Sequence, residues 1–188
     1  MQATGRAIGS HGLAGLTLAA VAGQAGLSPA TLVQRFGSKR ALLLAFAAQA
    51  ADAVRGPFRR ARQAHTSPLV ALHTALAELV SAVRTPTELA NNLGFVQLDL
   101  TDPAFRQHAG EHLGRMHAEI ADLLADAVAA GELAGNVEPA RLARSVQVAY
   151  NGVLLVWAIT AQGPLADALH AEIDQLLRPY RPRDQQGM

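Results

Sequence analysis

Beyond residue 66 a proline five times follows a residue suited to a helix boundary: Ser67-Pro68, Thr85-Pro86, Asp102-Pro103, Glu138-Pro139 and Gly163-Pro164. Proline lacks an amide hydrogen and pushes the preceding residue out of the helical region, so it fits the first turn of a helix and breaks its interior. Each pair therefore opens a helix. Glycines at 12, 26, 37 and 131 supply stops, because glycine takes the left-handed backbone of a helix end at little cost. Between these marks apolar residues recur with helical spacing: Leu42 and Phe46; Leu69, Leu72, Leu76 and Leu79; Phe105, Ala109, Met116, Ile120, Leu123 and Ala127; Leu165, Leu169, Ile173 and Leu176. No stretch alternates apolar and polar residues with period two between turn signals. The pattern predicts an all-α chain of about nine helices with no internal repeat.

Half of the 188 residues are hydrophobic and 16% are charged, enough apolar surface for one sizeable core or a small domain joined to a larger one. The absence of cysteine excludes disulfides, thiolate metal sites and thiol catalysis. The opening "MQATGRAIGSHG" has no continuous apolar segment of signal-peptide type. The most apolar run, Val146 to Ala161, is interrupted by Gln147, Tyr150, Asn151 and Thr160, short of the roughly 18 apolar residues that a membrane span needs. These features predict a soluble cytoplasmic protein with no membrane partner.

Charge is unevenly placed. Residues 1–62 hold Arg6, Arg35, Lys39, Arg40, Arg55, Arg59, Arg60 and Arg62 against Asp52 alone, a balance of +7, whereas the remainder carries −6. Such a split suggests that the N-terminal third meets something anionic. The arginine run ends near residues 55–67, which places a boundary there: one domain over 1–55 and a second over 56–188.

The stretch "LTLAAVAGQAGLSPATLVQRFGSK" contains two very short helices. Thr17 caps the first, with Leu18, Val21, Ala22 and Ala25 on one face, and Gly26 ends it. Ser28 caps the second, Pro29 takes its first turn, and Leu32 and Phe36 turn it back onto the domain. Ala22 is small where two steeply crossed helices approach. This is the plan of a helix-turn-helix, whose second helix enters a major groove about 12 Å wide. Its outward face carries Pro29, Ala30, Val33 and Gln34, and Gln34 can pair in bidentate fashion with adenine. Thr17, Ser28 and Thr31 offer hydroxyls and helix N-terminal amides to phosphate oxygens.

The segment "GLAGLTLAAVAGQAGLSPATLVQRFGSKRALLLAF" resembles the DNA-binding region of the TetR family of transcriptional regulators. The landmarks are Gly12, Leu16-Thr17, Val21-Ala22, Ala25 to Ser28, Thr31-Leu32, Phe36, Ser38-Lys39 and Leu42, and the likeness covers residues 3–55. "FVQLDLTDPAFRQH" and "AAGEL" are similar to segments of some members. The resemblance implies an all-α homodimer with a three-helix DNA-binding head and a larger domain that binds an inducer and dimerises. It also implies a phosphate clamp at Lys39, the only lysine beside fifteen arginines; on their own chemistry Arg35 and Arg40 are further candidates for backbone contacts. Two departures stand out. Val33 replaces the family's usual tyrosine and can touch a thymine methyl but not a phosphate. A basic lead-in before the first helix is expected, yet the chain opens seven residues before Ile8, so such an arm is absent or trimmed.

Residues about 87–162 mix apolar side chains with scattered polar ones, the composition of a small-molecule cavity. The candidate ligand residues are Leu93, Val96, Gln97, Phe105, His108, His112, Met116, Gln147, Asn151 and Trp157, for an uncharged or weakly charged, largely apolar effector. The last two helices are the most apolar pair, and the resemblance implies that they form a four-helix dimer seam through Leu154, Leu155, Leu165, Leu169, Ile173 and Leu176. A competing motif is "HAGEH", residues 108–112, which fits an H-x-x-E-H zinc hydrolase with His108 and His112 on the metal and Glu111 as base. No third ligand follows, and Glu111 points away from the apolar stripe that His112 borders. The reading is therefore a repressor binding a palindromic operator and released by its ligand, without catalytic residues, metal or cofactor. An activator or constitutive regulator of the same fold is the alternative, with the hydrolase a distant third.

Overall fold

The computed structural model describes residues 1–182. Among them are eleven α-helices: α1 Gln2–Gly15, α2 Leu18–Ala25, α3 Pro29–Phe36, α4 Lys39–Ala53, α5 Arg55–Ala64, α6 Pro68–Val80, α7 Pro86–Leu93, α8 Phe95–Thr101, α9 Pro103–Ala129, α10 Pro139–Thr160 and α11 Leu165–Leu177. A 3₁₀ turn, Arg178–Tyr180, follows, and no described residue is in a strand. Two interruptions are slight: Val54, between α4 and α5, and Gly94, between α7 and α8, keep right-handed helical angles. Counting each pair as one run gives the nine helices of the sequence pattern. Pro68, Pro86, Pro103, Pro139 and Leu165 after Pro164 all stand at helix starts, as the missing amide requires. Ser67 and Thr85 close their caps on Val70 and Glu88 amides at 3.2 and 3.1 Å.

The described residues form two compact units, 1–53 with 83–113, and 54–82 with the residues from 114 onward. The segment 83–113 thus packs with the N-terminal residues rather than with its sequence neighbours. In the first unit Ala7, Ile8, Leu16, Val21, Ala22, Leu32, Leu42, Leu43 and Phe105 form the core, with Phe36, Phe46, Phe95 and Leu98 packed around it. Phe95 stands between Phe46 and Phe105 at centroid separations of 5.8 and 6.2 Å. Inside α1 the helix breaks at Gly12, with φ 63° and ψ 176°. Asn91 on α7 donates to the Gly9 carbonyl at 2.7 Å across that break.

In the second unit α5 packs on α6, and α11 packs on both α6 and α10. The α11 stripe Leu165, Leu169, Ile173 and Leu177 is buried there, while Leu176, one position off the stripe, is half-buried. The His73 and His170 rings of α6 and α11 lie 4.2 Å apart. Trp157 is buried and its Nε1 donates to the Gly163 carbonyl at 2.9 Å, tying α10 to the turn before α11.

The structure lengthens the apolar run seen in the sequence. α10 extends over 22 residues and is long and apolar enough, by length and composition, to cross a membrane. The interruptions at Gln147, Tyr150, Asn151 and Thr160 do not stop the helix. One face, with Leu142, Ala143, Val146, Tyr150 and Trp157, is buried within the second unit.

Candidate nucleic-acid interface

Local chemistry sets the shape of α2 and α3. Thr17 Oγ1 accepts from the Ala20 amide at 3.0 Å, and Gly26 ends α2 with left-handed angles of 66° and 29°. The Leu27 amide then reaches back to the Ala22 carbonyl at 2.9 Å, closing the last turn. Ser28 Oγ accepts from the Thr31 amide at 3.1 Å and shares a hydrogen bond with the Thr31 hydroxyl at 2.8 Å. Gly37, at φ 72°, stops α3 after two turns, its amide on the Val33 carbonyl at 2.8 Å. Ser38 Oγ accepts from the Ala41 amide at 3.1 Å and starts α4.

Burial then sorts the faces. Val21, Ala22 and Leu32 lie inside, Leu18 and Phe36 are half-covered, and Ala25, placed on the inner face of α2 from its spacing, is exposed because the helix ends at the next residue. Thr17, Ser28, Pro29, Ala30, Thr31, Val33, Gln34 and Arg35 are all exposed, on one short segment of chain. Leu32 is the one fully buried side chain of α3, with Phe36 packed against the core behind it, so these two side chains and the two capped ends fix the face it presents. Arg35 lies over the Phe36 ring at 5.4 Å, its guanidinium remaining outward.

The basic residues divide more sharply than their sequence suggests. Lys39 is half-buried, and its Nζ donates to the Leu13 carbonyl at 2.5 Å, capping the end of α1. It also lines an open cleft of about 540 Å³ in the first unit, with His11, Leu43, Asn91, Gln97 and Leu98. Arg40 forks onto Asp102, with contacts of 2.8, 3.1 and 3.3 Å. In the second unit Arg62 pairs with Glu119 at 2.6 Å and donates to its carbonyl at 3.2 Å, Arg55 stands 3.6 Å from the same carboxylate, and Arg60 pairs with Glu78. Much of the arginine run thus answers acids far along the chain. The excess of charge in the first third is partly neutralised within the fold.

Of the candidate ligand residues, Gln97 lines the cleft and is exposed with Val96, while Leu93 is half-buried. Phe105 and Met116 are core residues, each 1% exposed. Asn151 is exposed and donates to the Gln147 carbonyl at 2.9 Å, one turn back. His112 Nδ1 stands 3.3 Å from the Ala50 carbonyl. His108 Nδ1 lies 3.8 Å from Glu111, whose other oxygen accepts from Gln107 at 3.1 Å. Among the described residues no group of three or more His, Asp or Glu is placed to hold a metal ion, which leaves the H-x-x-E-H spacing without a coordination shell.

An all-α chain with an exposed two-turn helix behind a capped glycine turn has the architecture of a helix-turn-helix regulator. Two family models match it: "Bacterial regulatory proteins, tetR family" over residues 1–46 and "Tetracyclin repressor-like, C-terminal domain" over residues 92–173. The chain belongs to the TetR family of transcriptional regulators. No curated protein matches it. Solved structures with the same fold include a TetR transcription regulator from Haloarcula marismortui, at 18% identity and TM-score 0.78, with 96% of this chain and 95% of that one covered. Thermus thermophilus FadR, a TetR-family repressor solved in complex with lauroyl-CoA, is 24% identical with TM-score 0.63, covering 100% and 98%. The fatty acid degradation regulator FadR from Bacillus halodurans is 16% identical with TM-score 0.74, covering 96% and 97%.

Proposed function

We propose that the protein is a cytoplasmic, ligand-responsive transcriptional repressor that binds a palindromic operator as a homodimer and is released by a small, largely apolar molecule. The observation that carries the DNA-binding half is the exposed face of α3: Pro29, Ala30, Val33 and Gln34 point outward from a helix held by buried Leu32, with Thr17, Ser28 and Thr31 hydroxyls beside it. Gln34 is the base reader, Val33 the contact to a thymine methyl, and the hydroxyls, Arg35 and Lys39 the phosphate contacts. Residues 1–55 form the DNA-binding domain in this reading and 56–188 the effector and dimerisation domain.

Dimerisation is assigned to the outer face of α10. Val148, Leu155, Val156 and Ile159 are exposed along it, between 54% and 75%, with Leu154 half-buried beside them. Leu165, Leu169 and Ile173 are already covered in their own chain and support this face from behind. An exposed apolar strip of this length is costly in water unless a second copy covers it. Two recognition helices related by a two-fold axis then read half-sites about 34–36 Å, or a multiple of that, apart.

The effector class follows from the residues around 91–157, which are rich in Leu, Val and Ala. The lauroyl chain of the acyl-CoA bound by the Thermus thermophilus neighbour is apolar, while its coenzyme A part is strongly anionic. A ligand shifts the DNA equilibrium only through differential affinity, typically by 5- to 150-fold. The test is a gel shift on DNA upstream of the protein's own gene, with and without candidate apolar compounds. A palindrome bound by dimers and released by a compound that binds more weakly to the complex supports the reading. A protein that binds no duplex overturns it, and binders that leave DNA affinity unchanged point to a constitutive regulator.

A further inference from the structure

We propose that Asp102 is a built-in competitor for DNA: it holds Arg40 in a carboxylate fork that a backbone phosphate must displace. The inference rests on the DNA-binding reading above. Asp102 stands between α8 and α9, where its Oδ1 accepts from the Ala104 amide at 2.9 Å and caps α9. Three residues on, Phe105 is 1% exposed in the same core as Leu32 of the recognition helix. The carboxylate is therefore fixed twice, by its cap and by the buried first turn of α9. Arg40 is the loose partner, its side chain 58% exposed against 25% for Asp102.

The two groups are matched closely. Arg40 Nη2 reaches Asp102 Oδ2 at 2.8 Å and Oδ1 at 3.1 Å, and Nε reaches Oδ2 at 3.3 Å. The guanidinium also lies over the Phe105 ring at 5.8 Å. The hydrogen bond from Arg40 draws the Asp102 carboxyl below its ordinary value, which keeps it ionised. Arg40 is the second residue of α4, just after the Ser38 cap and Lys39, directly following the recognition helix and its glycine stop. A planar guanidinium binds carboxylate and phosphate through the same bidentate geometry, so its Nε–Nη2 edge, the one engaged by Asp102, can satisfy either but not both. Leaving Asp102 costs Arg40 one fork and gains it another, while Asp102 keeps its bond to the Ala104 amide. Whatever displaces the first turn of α9 changes how readily Arg40 is released.

The experiment uses Asp102→Asn in the full chain. Asparagine is as good an N-cap as aspartate, so the helix start is retained while the charge is lost. Binding to the upstream duplex and to an unrelated duplex is measured against salt concentration. Asp102→Asn is expected to tighten both by about threefold or more and to steepen the log–log salt slope by about 0.9, the signature of one added phosphate contact. In an Arg40→Gln background the same substitution should change neither quantity. Wild-type slopes in Asp102→Asn, or an equal effect with and without Arg40, would overturn the proposal while leaving the DNA-binding reading intact. Failure of the wild-type chain to bind any duplex would instead remove the reading on which it rests.

Discussion

Gly12→Ala is the substitution whose cost the structure defines best. The residue sits at φ 63° and ψ 176°, a region that side-chain-bearing residues enter only at about 1–3 kcal/mol. A Cβ there would also stand 2.9 Å from Asn91 Oδ1 and 3.4 Å from its Cγ. The asparagine would have to turn away and give up its bond to the Gly9 carbonyl, now 2.7 Å, for roughly 0.5–1.5 kcal/mol more. The expected loss is about 2–4 kcal/mol, a large fraction of a typical domain's stability. Urea unfolding followed by circular dichroism measures it. Asn91→Ala separates the two parts. In that background Gly12→Ala should cost only the backbone strain, leaving a coupling of about 0.5–1.5 kcal/mol. A loss below about 1 kcal/mol would show that α1 straightens freely. Strict additivity would show that Asn91 does not confine the kink.

Further outcomes follow from the same coordinates. Gln34→Ala should relax preference at one operator position by roughly 1–3 kcal/mol, read by binding to single-base variants. Lys39→Ala should weaken all duplexes alike, flatten the salt slope by about 0.9, and cost some stability through loss of the Leu13 carbonyl partner. Ile159→Glu and Leu155→Glu should give folded monomers by light scattering, since both side chains are exposed; Ile173→Glu, at 0% exposure, should unfold the chain. Burial against α11 and the neighbouring His170 lower His73 to about 4 from 6.5. The unfolded chain then binds the extra proton first, so stability is full above pH 6.5 and declines as pH falls toward 4; His73→Gln should flatten that decline in a pH series of melts.

What was legible in the sequence was whatever is local. The caps at Thr17, Ser28 and Ser38 and the stops at Gly26 and Gly37 act within four residues, and they lie where spacing puts them. The outward face of α3 follows from Leu32 and the turn of the helix. Distant partners were not legible. Gly12 reads as a plain stop until Asn91, 79 positions later, is seen pressed against it. The stripe on α11 announces a buried face but not its partner: α6 and α10 of the same chain cover it, and the register shifts from Leu176 to Leu177. The tie between residues 83–113 and the N-terminal segment depends on Phe95, Leu98 and Phe105 joining a core assembled from α1 to α4, which no periodicity reveals.

The charge of the first third has a different meaning once its partners are known. Eight cations against one acid suggest a strongly attractive DNA face. Yet Arg40 is held by Asp102, Arg55 and Arg62 by Glu119, and Arg60 by Glu78, while Arg6 donates to the Gln24 carbonyl at 2.9 Å. An arginine engaged by a carboxylate releases no counterion from DNA until that pair is broken. The salt slope of binding counts only the cations that reach phosphate. Arg35 is outward on the recognition helix, Lys39 is tethered by a neutral carbonyl, and Arg40 is tethered by a charge. The release costs are therefore graded across Arg35, Lys39 and Arg40. The hydroxyls at Thr17, Ser28 and Thr31 carry no net charge, so the phosphate contacts proposed for them add little to that slope. In the proposed reading, discrimination comes from the fit of α3 rather than from bulk attraction, with the Arg40–Asp102 pair as the control point.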